Sequence, residues 1–327
     1  MEINPLEYIF PGIIAAQGIH AAVELRIPDL LVAGPKTAAE LASECGAHPP
    51  TLERLLRALA SLEIFECTED GRYENTAFGD VLREDHPESQ RDGGMFLAAP
   101  FLWRPLGELA ESVRTGKPSF NAVFGQSFFE YLAGHAEDAA LFNRVMTQGI
   151  AWTAPALLKA YNFSRFERLV DVGGGQGALL RELLVATPKL KGVLFDLPAV
   201  VAGAGSILKN GVAGRAEIVG GDFFNSVPEG GDGYLLKGVL HDWGDEDAIK
   251  ILGNVRKAIR ADGTLLLMES LIDSDERPAG LGDLLMLVIG GRDRSEEDFR
   301  RLLAEAGFTL TRVIPAVATS LIECHPA

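Results

Sequence analysis

The alternation of strand-like and helix-like segments after residue 165 is the feature that most constrains the fold. Short apolar runs of the strand type occur at 168–172 (RLVDV) and 193–197 (VLFDL), and the helical pattern ALLRELLVAT lies between them at 178–187. Alternation of this kind is typical of a parallel sheet whose strands are joined by helices that cover its faces. We therefore expect an α/β domain with a doubly wound, mainly parallel sheet over residues 161–327.

Residues 1–160 have a different pattern, which is mainly helical. Thr37 and Glu40 stand at the spacing of a capping box, and leucines repeat at helical spacing over 48–65. A hairpin is predicted to turn at the Asp-Gly pair 70–71. Two helices followed by a hairpin indicate a winged-helix-like unit.

The charge of the chain bears on what this unit binds. The sequence has 30 Lys and Arg residues against 46 Asp and Glu, a net charge of −16. A surface of this sign repels phosphate backbones and anionic lipid heads. The hairpin tip carries Glu69 and Asp70, whereas a DNA-binding face would be basic. We expect no nucleic acid and no membrane as partner, and we interpret residues 1–160 as a dimerisation domain.

The cysteines indicate the compartment. Cys45, Cys67 and Cys324 are few and scattered, which fits neither a disulfide framework nor a zinc site. The acidic N-terminal residues do not resemble a signal peptide, and no apolar run is long enough to span a membrane. We expect a cytoplasmic protein with reduced thiols and without a bound metal.

A glycine-rich turn, DVGGGQG at 171–177, separates the first strand from the first helix of the α/β region. Glycines at this place let the backbone approach a ligand closely at the carboxyl edge of the sheet. The spacing differs from the G-x-G-x-x-G fingerprint, and no Lys-Ser/Thr pair follows. The turn therefore fits a nucleoside without phosphates better than a dinucleotide or ATP.

Acidic residues end or follow successive strands. Asp171 lies at the end of the first strand and Asp196 at the end of the second, where a carboxylate can accept both ribose hydroxyls. Asp222 follows the third strand in GDFF, where it can bind an adenine amino group while Phe223 packs on the ring. Taken alone, Asp222 is equally well interpreted as a turn or capping residue. The set together favours a ligand site.

Five distinctive segments follow one another along the chain: LVDVGGGQGALLRELL, VLFDLPAVV, GDFFNSVP, LLKGVLHDWGDEDAIKIL and GGRDRSEEDFRRLLAEAGF. Together they resemble the S-adenosylmethionine-dependent O-methyltransferases of the plant caffeate and bacterial natural-product type, which include hydroxyneurosporene and anthracycline enzymes. The resemblance covers nearly the whole chain. It implies a Rossmann-like methyltransferase domain over residues 161–327, preceded over residues 1–160 by a winged-helix domain for dimerisation and for covering the acceptor. The expected assembly is a homodimer.

The resemblance also assigns the cofactor site, with S-adenosylmethionine as methyl donor and S-adenosylhomocysteine as product. Asp196 is expected to hold the ribose, and Asp222 and Phe223 to bind adenine. The full set of expected cofactor residues is Asp171, Gly173, Gly175, Asp196, Leu197, Asp222, Phe223 and Lys237.

His241 is the candidate general base. It follows the fourth strand in LHDW, at the edge where ligands bind in such sheets. A phenol has a pKa of about 10 and is a poor nucleophile until its proton is removed, which a histidine with a pKa of about 6.5 can do. The resemblance gives this position the same role. Glu269, at the end of the fifth strand, and Asp293, in GGRDRS, are the acids expected to orient the imidazole, although Asp293 stands where related enzymes usually carry glutamate.

The expected acceptor pocket is apolar and fits a small aromatic or polycyclic metabolite. In the family, the segments that enter the α/β domain and precede Gly290 line this pocket, and each side chain taken alone is also a good core residue. The candidate acceptor residues are Phe142, Met146, Trp152, Met286 and Ile289.

The leading hypothesis is methyl transfer to a hydroxyl of such a metabolite. An N-methyltransferase or a non-methylating S-adenosylmethionine-dependent enzyme on the same fold remains an alternative. A winged-helix regulator with a ligand-sensing domain is a third. The His241–Glu269 pair favours O-methylation, and the acidic N-terminal unit disfavours the regulator.

Overall fold

The computed structural model describes residues 6–209, 211–272, 279–316 and 319–327. Residues 1–5, which carry part of the expectation about a signal peptide, lie outside the described residues. The chain divides into two compact units, Met1–Arg104 and Pro105–Ala327. The boundary expected near residue 160, between a dimerisation domain and a methyltransferase domain, does not coincide with this division into compact units, and it stays a prediction.

The first unit is mainly helical and contains one hairpin. Its elements are α1 (Leu6–Glu24), α2 (Ile27–Leu30), a 3-10 turn (Leu31–Ala33), α3 (Ala38–Cys45), α4 (Pro49–Ala60), β1 (Phe65–Cys67), β2 (Tyr73–Asn75), α5 (Ala77–Asp80), α6 (Arg91–Leu97) and α7 (Pro100–Leu106), within which the division falls. The order of α3, α4 and the antiparallel β1–β2 hairpin is the predicted one.

Local sequence signals explain these elements. Thr37 caps α3 as predicted, because its side chain accepts the N–H of Glu40 at 3.2 Å while the Glu40 carboxylate accepts the N–H of Thr37 at 2.7 Å. Gly71 turns the hairpin with φ of 75°, a conformation that favours glycine. Leu56 and Leu59 of α4 and the hairpin residue Phe65 are fully buried, and they belong to one apolar core that also includes residues of α1, α2 and α3.

The second unit is an α/β sandwich around one sheet. Its helices are α8 (Leu109–Thr115), α9 (Ser119–Phe124), α10 (Phe128–Gly134), α11 (Ala136–Gln148), α12 (Ile150–Ala160), α13 (Ala178–Ala186), α14 (Pro198–Val201), α15 (Ala204–Ile207), α16 (Asp245–Ala258), α17 (Ala279–Ile289) and α18 (Glu296–Glu305), with 3-10 turns at Phe163–Arg165 and Leu240–Asp242. Its strands are β3 (Arg168–Val172), β4 (Lys191–Asp196), β5 (Ala216–Gly220), β6 (Gly233–Lys237), β7 (Thr264–Glu269), β8 (Phe308–Ala316) and β9 (Thr319–Pro326).

The sheet has seven strands in the order β5-β4-β3-β6-β7-β9-β8. Strands β3 to β7 pair in parallel, whereas β9 runs antiparallel to both β7 and β8. Every residue of β7 is buried, as expected for a strand in a sheet covered on both faces. The predicted doubly wound α/β fold is confirmed. Because β3 to β7 are parallel, the side chains at their carboxyl ends meet at one edge.

None of the described helices is long and apolar enough to span a membrane.

Candidate active site

The glycine turn after β3 brings its backbone very close to neighbouring groups. Gly173 has φ of 70°, and a Cβ there would lie 2.7 Å from Cγ2 of Val239. A Cβ on Gly174 would lie 2.5 Å from Oδ2 of Asp171. Gly175 has φ of 61° and open space beside it. The turn therefore requires glycine for steric and conformational reasons, and it leaves room above Gly175.

Asp171 is a buried carboxylate at the end of β3, with 1% of its surface exposed. Its Oδ2 atom has no hydrogen-bond partner among the described residues. The pKa of Asp171 is raised to about 7, because burial and, to a smaller extent, the Asp196 carboxylate outweigh the opposing effect of Lys237. A buried, unpartnered carboxylate oxygen fits a ligand that brings an N–H or a positive charge.

Asp196, at the end of β4, is held by two backbone amides. Gly175 donates its N–H to Oδ2 at 2.8 Å, and Leu197 donates its N–H to Oδ1 at 2.7 Å. Burial raises the pKa of this carboxyl, and the two amides lower it in part. Each oxygen keeps a further lone pair that can accept a hydroxyl. The side chain of Leu197 is exposed.

Asp222 makes local hydrogen bonds of the turn type. Its Oδ1 accepts the N–H of Phe224 at 2.8 Å, and its Oδ2 accepts from the Asn225 side chain at 3.0 Å. The Phe223 ring lies edge-on to Trp243 with centroids 6.0 Å apart. The structure thus gives Asp222 its structural role, and its contact with adenine stays a prediction. Trp243 is an aromatic neighbour that the sequence analysis did not single out.

His241 lies in the 3-10 turn that follows β6. Its Nδ1 is 2.8 Å from Oε2 of Glu269, and the Glu269 side chain is fully buried. The contact is a charge pair rather than an aligned hydrogen bond, because Oε2 receives no well-directed donor from any described residue. Oε1 of Glu269 accepts the N–H groups of Val239 at 3.2 Å and Leu240 at 2.8 Å. One carboxylate therefore holds both the turn and its histidine.

This pairing sets the acid–base properties of His241. Burial lowers the pKa of His241, but the Glu269 carboxylate outweighs that effect, and the balance raises the pKa to about 9. Asp242 lies on the other side of the ring, with Oδ1 3.5 Å from Nε2. The pKa of Asp242 is raised to about 7, because burial and the Glu269 carboxylate outweigh the lowering by His241 and Lys237. Burial lowers the pKa of Lys237, which the Glu269, Asp171 and Asp242 carboxylates counteract.

Asp293 is buried near this group without a direct contact to the imidazole. Its backbone N–H donates to Oδ1 of Asp283 at 2.8 Å. Burial raises the pKa of the Asp293 carboxyl, and His241 lowers it, so the two groups feel each other's charge. No hydrogen bond or ion pair within the described part of the chain joins their side chains. Glu269 makes the direct contact, and the role of Asp293 stays a prediction.

The expected acceptor residues lie in different surroundings. Phe142 of α11 packs edge-on against Phe128 and Phe129, with centroids 5.6 and 6.2 Å away. Phe129 in turn stacks on Trp243 at 5.3 Å, which links this aromatic cluster to the turn of His241. Met146 is 42% exposed and Trp152 is 53% exposed. Met286 and Ile289 are half-buried on α17. Only Phe142 is thus brought into the aromatic cluster.

The fold and the site together define a class of protein, a Rossmann-like α/β protein with a glycine turn, buried carboxylates and a histidine–glutamate pair at the carboxyl edge of its sheet. Comparison with known families agrees. Residues 106–309 match the O-methyltransferase domain, and residues 7–85 match the O-methyltransferase dimerisation domain. The chain belongs to the family of S-adenosylmethionine-dependent O-methyltransferases.

Individual relatives match over nearly the whole chain. Mitomycin biosynthesis 6-O-methyltransferase from Streptomyces lavendulae is 42% identical over 95% of this chain and 90% of its own length. The 8-amino-8-demethylriboflavin N,N-dimethyltransferase from Streptomyces davaonensis is 38% identical over 94% and 90%. The crystal structure of the O-methyltransferase NcsB1, from neocarzinostatin biosynthesis, in complex with S-adenosyl-L-homocysteine and 1,4-dihydroxy-2-naphthoic acid, has a TM-score of 0.86. It is 35% identical and covers 96% of each chain.

Proposed function

We propose that this enzyme methylates a hydroxyl of a small aromatic metabolite and that His241 acts as its general base. The observation that carries the proposal is the 2.8 Å contact between Nδ1 of His241 and the buried Glu269 carboxylate at the carboxyl edge of the sheet. Because Nδ1 lies against the Glu269 carboxylate, we assign proton acceptance to Nε2, which is 3.5 Å from Oδ1 of Asp242. Base catalysis of this kind contributes on the order of 10²–10⁴-fold to a rate.

The residues present fit S-adenosylmethionine as the methyl donor. The unpartnered Oδ2 of buried Asp171 suits a cationic amino group. The carboxylate of Asp196, oriented by the Gly175 amide, suits vicinal ribose hydroxyls. The turn at Gly173 suits a ligand that lies close to backbone. We include Asp222, Phe223 and Lys237 in the same proposed site.

Bound S-adenosylmethionine would supply a sulfonium methyl group, whose carbon bonds to the acceptor oxygen as the carbon–sulfur bond breaks and neutral S-adenosylhomocysteine leaves. The chain's own residues act on the acceptor. His241 removes the hydroxyl proton at Nε2, and the Glu269 carboxylate stabilises the imidazolium that results. Because Glu269 is fixed by the amides of Val239 and Leu240, the charge that stabilises the imidazolium is in place beforehand.

The raised pKa of His241 determines how this base works with pH. At a pKa of about 9, only about 1% of the imidazole is neutral at pH 7, so the rate rises with pH through the neutral range. The same shift brings the base close to the pKa of about 10 of a phenol, which makes the proton transfer nearly balanced.

An aromatic acceptor is supported by the NcsB1 complex with a dihydroxynaphthoic acid and by the apolar candidates in this chain. We propose that the pocket is lined by Phe142, Met146, Trp152, Met286 and Ile289. A flat apolar slot of such residues binds a ring by surface burial rather than by polar recognition.

N-methylation is the second candidate, because one relative that is 38% identical is an N,N-dimethyltransferase. A panel of phenols and aromatic amines, scored by mass gain with S-adenosylmethionine, separates the two. We expect phenols to gain mass, and His241→Ala to lower that rate by about 10²-fold or more while S-adenosylhomocysteine still binds. Mass gain on amines alone, or a His241→Ala rate equal to that of the wild type, would reject the proposal.

We further propose a homodimer formed through the first unit. The match to a dimerisation domain supports it, as do four apolar side chains of α1 that are about half exposed or more, Ile9, Phe10, Ile13 and Ile14. Their spacing places them along one side of the helix. The free state of Cys45, Cys67 and Cys324 supports a reducing, cytoplasmic location.

A further inference from the structure

We propose that Arg294 is a positioning residue that fixes the turn carrying His241, which rests on the proposed role of His241 as base. Arg294 lies in the segment between α17 and α18, and none of its surface is exposed. A buried arginine is uncommon, and its guanidinium must find acceptors for its N–H groups. Two of those acceptors are carbonyls of the turn that carries His241.

The guanidinium of Arg294 binds on both sides of His241. Nη1 donates to the carbonyl of Leu240 at 2.7 Å, and Nη2 donates to the carbonyl of Trp243 at 2.7 Å. Nε and Nη2 also donate to Oδ1 of Asp245 at 3.0 and 2.9 Å, which neutralises the charge. The planar fork of arginine thus spans the whole turn from the residue before His241 to the first residue of α16.

The same segment holds the turn through its backbone. Arg292 donates its N–H to the carbonyl of His241 at 2.7 Å. A side chain on Gly291 would collide with that carbonyl oxygen, so glycine permits the approach. On its other side the segment is anchored to the sheet edge, because Ile272 donates its N–H to the carbonyl of Arg294 at 3.2 Å.

The turn is therefore held from two directions. Glu269 binds its amides at Val239 and Leu240, and the segment with Arg294 binds its carbonyls at Leu240, His241 and Trp243. If only the amides of Val239 and Leu240 were held, the peptide planes that follow them in the turn could still rotate about the Cα atoms. Fixing the carbonyls as well determines where the imidazole lies relative to Oε2 of Glu269.

The test uses Arg294→Lys, which keeps the charge but cannot reach three acceptors with one ammonium group. Arg215→Lys is the matched control, because the Arg215 guanidinium also binds two carbonyls, of Thr187 and Leu190, away from the site. Asp245→Asn is a milder second variant that keeps Arg294 and weakens its anchor, together with the longer ion pairs that Asp245 makes with Arg292 and Arg301.

The first readout needs no acceptor. NMR titration of histidine-labelled protein, with His241 assigned by its loss in His241→Asn, gives the pKa of His241 directly. We expect it to fall by about one unit or more in Arg294→Lys, because the ring moves away from Glu269, and to stay unchanged in Arg215→Lys. A smaller fall is expected in Asp245→Asn. An unchanged pKa in both Arg294→Lys and Asp245→Asn overturns the proposal.

The second readout is methylation of two acceptors at a pH of about 7.5, 2-naphthol, which is protonated there, and 1-nitro-2-naphthol, which is ionised. We expect the kcat for 2-naphthol to fall by about tenfold or more in Arg294→Lys, with little change for the nitro compound, since an ionised acceptor needs no base. Equal falls for both acceptors indicate a merely structural role and overturn the proposal. If His241→Ala leaves the kcat for 2-naphthol unchanged, the proposal that His241 is the base fails. The NMR titration still decides whether Arg294 positions the ring.

Discussion

Replacing Asp171 by Asn should stabilise the free enzyme and abolish its affinity for S-adenosylhomocysteine. Burial raises the pKa of Asp171 from 3.8 to about 7. At about 1.4 kcal/mol for each unit, the ionised carboxylate costs the fold roughly 4 kcal/mol above pH 7. The asparagine removes this cost but leaves an amide without a partner, which costs about 1–3 kcal/mol. The net gain is about 1–3 kcal/mol, or roughly 3–10 °C in Tm.

The pH dependence gives the sign of this effect. A carboxyl whose pKa is raised by folding favours the folded state below its unfolded pKa, and that contribution is lost as the pH rises through its folded pKa. For Asp171 the loss falls between about pH 4 and pH 7. The Tm advantage of Asp171→Asn should therefore be absent near pH 4 and complete at pH 8.

Calorimetry at several pH values, with and without S-adenosylhomocysteine, tests the reasoning. Ligand at 100 times its Kd stabilises the wild type by about 2.7 kcal/mol and should leave the variant unchanged. Asp232→Asn is the matched control at the other end of β3, because both Asp232 oxygens accept backbone N–H groups at 2.8 Å, so its loss should lower Tm. An Asp171→Asn enzyme that is less stable than the wild type at pH 8, or that keeps the ligand shift, would refute the account.

Three further predictions concern other parts of the molecule. Glu269→Gln should shift the rising part of the plot of kcat/KM against pH to lower pH, because the carboxylate that raises the pKa of His241 is removed. Plots that coincide for the variant and the wild type would contradict this. Gly174→Ala should weaken S-adenosylhomocysteine binding by about tenfold or more in titration calorimetry, since its Cβ would lie 2.5 Å from a carboxylate oxygen; an unaltered Kd would show that the turn can adapt. Phe10→Glu should sediment as a monomer, whereas Val113→Glu, equally exposed on α8, should remain dimeric; a dimer in both would remove α1 from the interface.

Much of the fold was predictable because its signals are local. The strand β3 and the capping box at Thr37 are set by residues a few positions apart, and both occur where the pattern places them. Helical spacing was less reliable at element ends. Leu62 continues the leucine pattern of α4, but the helix ends at Ala60 and Leu62 is 39% exposed.

The site was predictable where strand ends define it and not where distant segments meet. Glu269 could be paired with His241 because parallel strands bring their carboxyl ends together. Asp242 was adjacent to the histidine in sequence, yet its burial was not apparent from the motif. Arg294 stands in a charged segment typical of a surface, and only its contacts with the turn, 50 or so positions away in sequence, bury it. Such long-range partners have no signal in a single sequence.

The position of β9 has a consequence for how the enzyme is made. Residues Thr319–Pro326 insert beside β7 and pair with it as far as Glu269, opposite Ser320. During synthesis the strand that ends in Glu269 therefore has an open edge until residues 319–326 have also left the ribosome. The carboxylate that contacts His241, the proposed general base, thus ends a strand that gains its second neighbour only when β9 has been made. A nascent chain can build its glycine turn early, whereas the strand beneath the His241–Glu269 pair is enclosed on both sides only after β9 has joined the sheet.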